Sequence, residues 1–285
     1  MIIDRLYKLA NERGPICIGL DTKLDFIPGY IKNNNNLNIT DKIFLFNKAL
    51  IDNTFDITAC YKVQIAFYEA HGVKGLIAYQ KTLSYIKQKE GIVIADIKRG
   101  DISSTAEQYA KAHFTGDFEA DFLTINPYMG LDAIKPYFQY LDTGEKGLFI
   151  LVKTSNPSSK DFQELNTKGR PLYMHVAQKI EEWGKTYRGN SGYSTIGSVV
   201  GLTYPDEFLK IKNEAKHTFF LIPGYGIQGG TGKNLAKIFD KNIHAVINSS
   251  RGIIAAHQGI DETKDFVKIT RQKVMEMKKD ILQCL

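Results

Sequence analysis

Eight short apolar runs recur along the chain, at 16–20, 57–64, 91–98, 121–126, 147–154, 196–203, 219–224 and 244–250, with helix-length segments between them. Near-continuous apolar runs suit strands buried on both faces, and spacers of that length suit crossovers between parallel neighbours. Eight parallel units close on themselves, so the expected architecture is α/β, a (β/α)8 TIM barrel. The intervening stretches 43–54, 72–89, 104–114, 130–141, 173–185, 206–215 and 234–239 each carry an apolar stripe and a polar face, and a terminal helix is expected from residue 263 onward. Such barrels use about 250 residues. No Pro/Gly/Ser-rich linker divides the chain, and residues 1–285 are read as one barrel domain.

Composition narrows the function classes. With 43% hydrophobic and 24% charged residues, the chain has the profile of a globular enzyme with one large core. Its net charge of +6 suits an anionic small molecule, and the basic residues are scattered, without the clustered footprint of a nucleic-acid binder. Three widely spaced cysteines (Cys17, Cys60 and Cys284) suggest neither a disulfide framework nor a zinc ribbon, which fits a reducing cytoplasm. The first residues read as an amphipathic charged helix without a signal-peptide core, and no run is long and apolar enough to span a membrane. The Asn33–Asn36 tract and the 184–195 segment are both read as surface connections.

Chemistry on a barrel collects at the C-terminal ends of the strands, and the polar oddities fall there. Asp21 follows the first strand, Lys62 lies near the end of the second, and the third ends in Asp96-Ile97-Lys98-Arg99-Gly100-Asp101. Residues two apart on a strand share a face, so Asp96 and Lys98 point into the mouth while Ile97 faces the helices. Taken singly, Asp96 with Lys98 could be an internal ion pair and Asp101 a helix cap. Two lysines and three aspartates from three strands are harder to assign to stability, because so many charges are costly to desolvate.

The opposite side of the mouth has another character. The seventh run leads into Pro223-Gly224-Tyr225-Gly226-Ile227-Gln228-Gly229-Gly230-Thr231-Gly232, and the eighth into Ser249-Ser250-Arg251-Gly252. Loops at these places often bind phosphate, with glycines admitting backbone N–H groups and an arginine supplying a planar fork. Residues 224–229 match a dinucleotide fingerprint in form, yet they occupy the seventh unit of a barrel and no acidic residue follows at ribose distance. The six histidines show no metal-ligand spacing. Ser155, in Lys153-Thr154-Ser155-Asn156-Pro157, reads equally well as a turn residue or a site residue.

These motifs resemble the orotidine 5'-phosphate decarboxylase family. The resemblance rests on Asp-x-Lys-x-x-Asp at 96–101 followed by Ile102 and Thr105. It extends through GLD at 19–21, YKVQIAFYEAHG at 61–72, ADIKRGDISSTAEQYA at 95–110, TSNPSS at 154–159, PGYGIQGG at 223–230 and NSSRG at 248–252. The form of the second and fifth motifs is similar to the longer branch of that family. Tyr225 and Ile227 depart from the expected phosphate loop.

The resemblance implies decarboxylation of orotidine 5'-phosphate to UMP with no metal or organic cofactor. Lys98 would stabilise and protonate a carbanion-like C6, and Asp96 would press on the departing carboxylate. It further implies that Asp21 and Lys62 hold ribose hydroxyls, with Lys62 linking the aspartates into an alternating charge network. Asp101 and Thr105 would reach the ribose of a neighbouring subunit in a homodimer with shared sites. Ser155 and Gln228 would contact the pyrimidine, Gln228 and Arg251 the phosphate, and Ile102 would line the pocket near the reacting carbon. Phosphate grip, remote from the broken bond, would act by driving loop closure over the site. Two rivals are a Mg-dependent sugar-phosphate decarboxylase on a related barrel and a silent nucleotide-binding protein. Lysines between the aspartates oppose the first, and retention of both Asp96 and Lys98 opposes the second.

Overall fold

The computed structural model describes residues 1–285 other than 204, 227–229, 237, 240–242, 261, 262 and 285. Each apolar run is a strand: β1 (Ile16–Gly19), β2 (Cys60–Gln64), β3 (Val93–Arg99), β4 (Phe122–Ile125), β5 (Gly147–Lys153), β6 (Ser194–Val200), β7 (Thr218–Pro223) and β8 (Ala245–Ser249). Every strand pairs in parallel with its neighbours in sequence, and β8 closes on β1 with Ile16 opposite Ile247 and Cys17 opposite Asn248. The expected barrel is the observed one.

Element ends move for local reasons. β2 starts at Cys60 rather than 57 because Phe55–Ile57 turns as a short 3-10 helix. The helix expected from 43 starts at Ile39, where the Asn38 side chain accepts the Asp41 N–H at 3.1 Å and satisfies one of the free amides of the first turn. The terminal helix runs Phe266–Leu282.

Side-chain alternation sorts the barrel interior into two levels. The lower one is apolar and includes Cys17, Cys60, Ile94, Phe122, Phe149 and Phe219, all buried. Beneath it the N-terminal helix Ile2–Arg13 turns Ile2, Ile3, Leu6 and Ala10 onto the same cluster and plugs the barrel. Each large apolar side chain removed from water there contributes about 1.5–3 kcal/mol. Two residues further along three of these strands, the same inward face carries Lys62, Asp96 and Thr124. A dry floor beneath a charged mouth follows from the strand period of two.

The 184–195 segment is a connection with Lys185, Thr186, Asn190 and Gly192 exposed, as expected, but it is also tied to the barrel. It packs under the floor, where Ser191 N–H donates to Asp4 Oδ1 at 2.7 Å and Tyr193 lies between Tyr7 and the stacked ring of His244. The Asn33–Asn36 tract is exposed as expected.

Candidate functional site

The first wall of the mouth is built by β1, β2, β3 and β4. Asp96, 4% exposed, sits at its centre. Its Oδ1 accepts from Lys98 Nζ at 2.6 Å and Thr124 Oγ1 at 2.8 Å, while Oδ2 accepts from Lys62 Nζ at 2.7 Å and Gln64 Nε2 at 2.9 Å. These contacts saturate a carboxylate, which offers about four acceptor positions. Lys62 Nζ also lies 3.7 Å from Asp21 Oδ1, so the order of charge across the wall is Lys98, Asp96, Lys62, Asp21.

Two opposing effects act on these charges, and the pairing wins in both cases. Burial would raise the Asp96 carboxyl, but the Lys62 and Lys98 ammonium groups overcome it and hold Asp96 well below the usual carboxylate range. Burial would likewise pull Lys62 down, but Asp21 and Asp96 hold it above the ordinary lysine value. Asp21 Oδ1 is buried and has no hydrogen-bond donor. Its charged neighbour among the described residues is Lys62, at 3.7 Å, and the partly exposed remainder of the Asp21 side chain lines the cavity.

Lys98 reaches Asp96 through an unusual backbone. Its φ is +45°, in the left-handed region that L side chains seldom occupy, and the β3–β4 register shifts between Ala95 and Arg99. Thr124 Oγ1 holds this bend by accepting the Lys98 N–H at 3.0 Å while donating to Asp96. A strained residue of this kind costs on the order of 1–3 kcal/mol and persists where its surroundings over-determine it. The Lys98 side chain is 45% exposed and opens into the cavity.

The facing wall, after β7 and β8, is shaped by glycine. Gly224 and Gly226 adopt φ of +102° and +81°, and Gly226 N–H donates to Gly230 O at 2.9 Å and Gly230 N–H to Gly224 O at 3.2 Å. A side chain at Gly19 would place its Cβ 1.9 Å from Ser250 Oγ, so glycine there lets the end of β8 lie close against β1. Arg251 then starts the short helix Arg251–Ile254 and lines the cavity. Between the walls, the loop after β5 carries Ser155. It is braced by Thr154 N–H to Gln163 Oε1 at 2.9 Å and by buried Lys153 against Glu164 at 2.6 Å.

One cavity of about 580 Å³ thus gathers Asp21, Lys62, Asp96, Lys98, Ser155 and Arg251. Three other expected residues stand outside it. Asp101 Oδ1 accepts its neighbour's Ile102 N–H at 2.9 Å, Ile102 is 50% exposed, and Thr105 is exposed on the helix Ser103–Phe114. The convergence expected of two lysines and three aspartates is therefore two and two within this chain, because β3 ends before Asp101 and its side chain leaves the inward face. Gln228 lies outside the described residues. Sequence reasoning missed Gln64 and Thr124. Both were accessible through the period of two, since Gln64 follows Lys62 on the same face and Thr124 follows inward-facing Phe122.

A (β/α)8 barrel with an alternating Lys/Asp chain on one side of its mouth, and glycines with an arginine on the other, defines a class of enzymes acting on small phosphorylated molecules. The model of the orotidine 5'-phosphate decarboxylase / HUMPS family matches residues 14–266, and the chain belongs to that family. It is 51% identical over 286 residues to an orotidine 5'-phosphate decarboxylase of Clostridium tetani, covering 100% of this chain and 99% of the relative. With the enzyme of that name from Clostridium botulinum strain Loch Maree the identity is 53% over 284 residues, 99% of each. The solved OMP decarboxylase of Leishmania donovani superposes with a TM-score of 0.73 at 29% identity, covering 96% of this chain and 98% of that one.

Proposed function

We propose that this chain is a carboxy-lyase that converts orotidine 5'-phosphate to UMP and CO2 in pyrimidine biosynthesis. The single observation that carries the reading is Asp96, a buried carboxylate kept ionised by two lysines beside an open cavity, in a chain of this family. An ionised Asp96 faces the substrate carboxylate and favours its departure as neutral CO2. The C6–carboxyl bond breaks and its electron pair stays on C6. Lys98 stabilises that charge and then donates a proton to C6, regaining one from solvent.

The remaining roles follow the chemistry of each side chain. Asp21, which lines the cavity beside Lys62, takes a ribose hydroxyl. Ser155 meets the pyrimidine, and Arg251 forks onto the phosphate. Gln228 is assigned to the pyrimidine and phosphate on the family resemblance alone.

Asp101, Ile102 and Thr105 serve the site of a second copy in a homodimer. They are exposed or half-exposed, and Gly100 next to them approaches Met129, which with Tyr128 and Leu131 is an exposed apolar side chain of the kind that subunit contacts cover. Substrate chemistry and free cysteines fit the cytoplasm.

A Mg-dependent reading is weaker, since a divalent cation would have to displace ammonium groups 2.6 and 2.7 Å from the two oxygens of Asp96. The test is a UV assay with orotidine 5'-phosphate and EDTA beside a Lys98→Ala variant. Turnover to UMP that resists EDTA and disappears in the variant supports the reading, whereas a folded protein that binds UMP without turnover defeats it. Shared sites are tested by mixing inactive Asp101→Ala and Lys98→Ala proteins. Recovery of about a quarter of wild-type activity is expected when subunits exchange, because half of the dimers then hold one intact site of two.

A further inference from the structure

The glycine-rich segment after β7 is held from outside the barrel. Near the end of the terminal helix Phe266–Leu282, Asp280 turns a single oxygen, Oδ2, toward both ends of that segment. Tyr225 Oη donates to it at 2.5 Å on the way in, and the Gly232 N–H donates to it at 2.8 Å on the way out. The approach is close: a Cβ at Gly232 would stand 2.4 Å from the Asp280 carbonyl oxygen and 2.8 Å from Oδ2. Tyr225 also lines the cavity and packs against the core, so its ring joins the anchor to the site. Burial, followed by the Asp280 carboxylate, pushes the Tyr225 phenol above its ordinary value, which keeps it a donor.

We propose that Asp280 is a positioning residue for recognition of the substrate phosphate, setting the spacing and orientation of the two stems, Gly224–Gly226 and Gly230–Gly232, without touching the substrate. The inference rests on the reading that this wall binds the phosphate. The first wall is organised by ion pairs among its own side chains. Among the described residues this one has glycines in place of such pairs, and a carboxylate on the terminal helix bonds both of its stems. Tyr225, a departure from the family pattern, thereby acquires a role: its hydroxyl reaches the carboxylate that a small apolar residue at that position would not reach.

A purely structural Asp280, acting as a cap for the Gly232–Ala236 turn, would lower stability and disturb all substrates alike. The discriminating readout is the ratio of kcat/KM for orotidine 5'-phosphate to kcat/KM for orotidine, which lacks the phosphate. Asp280→Ala is expected to lower this ratio about tenfold, the scale of losing two hydrogen bonds to a charged acceptor at a solvent-open site. Tyr225→Phe, which keeps the Gly232 contact and removes only a hydroxyl, is expected to lower it by a smaller factor, and Asp280→Asn to recover part of the loss. Arg251→Ala serves as the reference for a direct phosphate contact. An unchanged ratio in Asp280→Ala and Tyr225→Phe, with a reduced one in Arg251→Ala, overturns the proposal while leaving the phosphate reading intact. An equal loss on both substrates overturns it in favour of a structural cap. An unchanged ratio in Arg251→Ala as well removes the phosphate reading and the proposal with it.

Discussion

Along β1 to β4 the barrel mouth is held by side chains: Lys98, Asp96, Lys62 and Asp21 interlock, with Thr124 and Gln64 filling the remaining positions on Asp96. Along β7 and β8 it is held by backbone: glycines with positive φ, amide hydrogen bonds among Gly224, Gly226 and Gly230, and the carboxylate of Asp280. The first arrangement keeps charges fixed in a half-dry site, where electrostatic stabilisation needs no rearrangement during reaction. The second, on the proposed reading, meets the phosphate with Arg251 beside glycines, where close approach matters more than fixed charge. On that reading the chemical step and the phosphate contact lie on opposite walls, and substitutions on the two should fail in different ways.

The largest expected effect lies on the first wall. Lys98→Ala should lower kcat by roughly 10⁴-fold or more, combining lost charge stabilisation and lost proton donation. Its melting temperature should change little, because the side chain is half-exposed. Stopped turnover with an unshifted melting curve is the signature, and near-normal turnover would remove Lys98 from the chemistry.

Asp96→Ala should break stability as well as activity, since it leaves two ammonium groups facing each other. A loss of about 3–5 kcal/mol is expected from stranding buried charge, read by urea unfolding. The pH dependence sharpens this. Asp96 is held down in the folded protein, so its contribution is full above the unfolded carboxylate value near pH 4 and drains away as pH falls toward its folded value. An Asp96→Asn variant should therefore have a flatter acid limb below about pH 4. Lys62 is held up, so its contribution is full below about pH 10.4 and lost only as pH rises beyond that.

On the second wall, Arg251→Ala should weaken orotidine 5'-phosphate by about ten- to a hundredfold, the range for a hydrogen-bonded charge. Little change in stability is expected, because Arg251 is exposed. Steady-state kinetics beside a melting curve would separate the two. Thr124→Val is the smallest perturbation. It should cost about 1 kcal/mol by removing one hydrogen-bonding hydroxyl, which both accepts from Lys98 and donates to Asp96. A modest fall in kcat should accompany it as Lys98 loses its brace.

Much of this was legible in the residues. The strands could be read because burial on both faces leaves apolar runs, and the charged wall because a period of two assigns Asp96 and Lys98 to one face. Asp101 shows the limit of that rule: the alternation ends with β3, and spacing alone does not say where the chain turns. Thr124 and Gln64 escaped notice because a lone threonine or glutamine on a strand is ordinary until its neighbour across the sheet is known. The tie that holds the 184–195 segment was not legible because its partner, Asp4, lies more than 180 residues away in the sequence.

The barrel, the side of it that carries charge and the side that carries glycine were readable from the residues alone, since these depend on local periodicity and residue type. That four donors saturate Asp96, that Lys98 bends through a left-handed backbone to reach it, and that Asp280 bonds both stems of the facing wall emerge from the folded arrangement. Each depends on atoms brought within 3 Å of one another by closure of the sheet and docking of the terminal helix. Pattern along a chain reports which face a residue occupies. Distance across a core depends on how the elements pack.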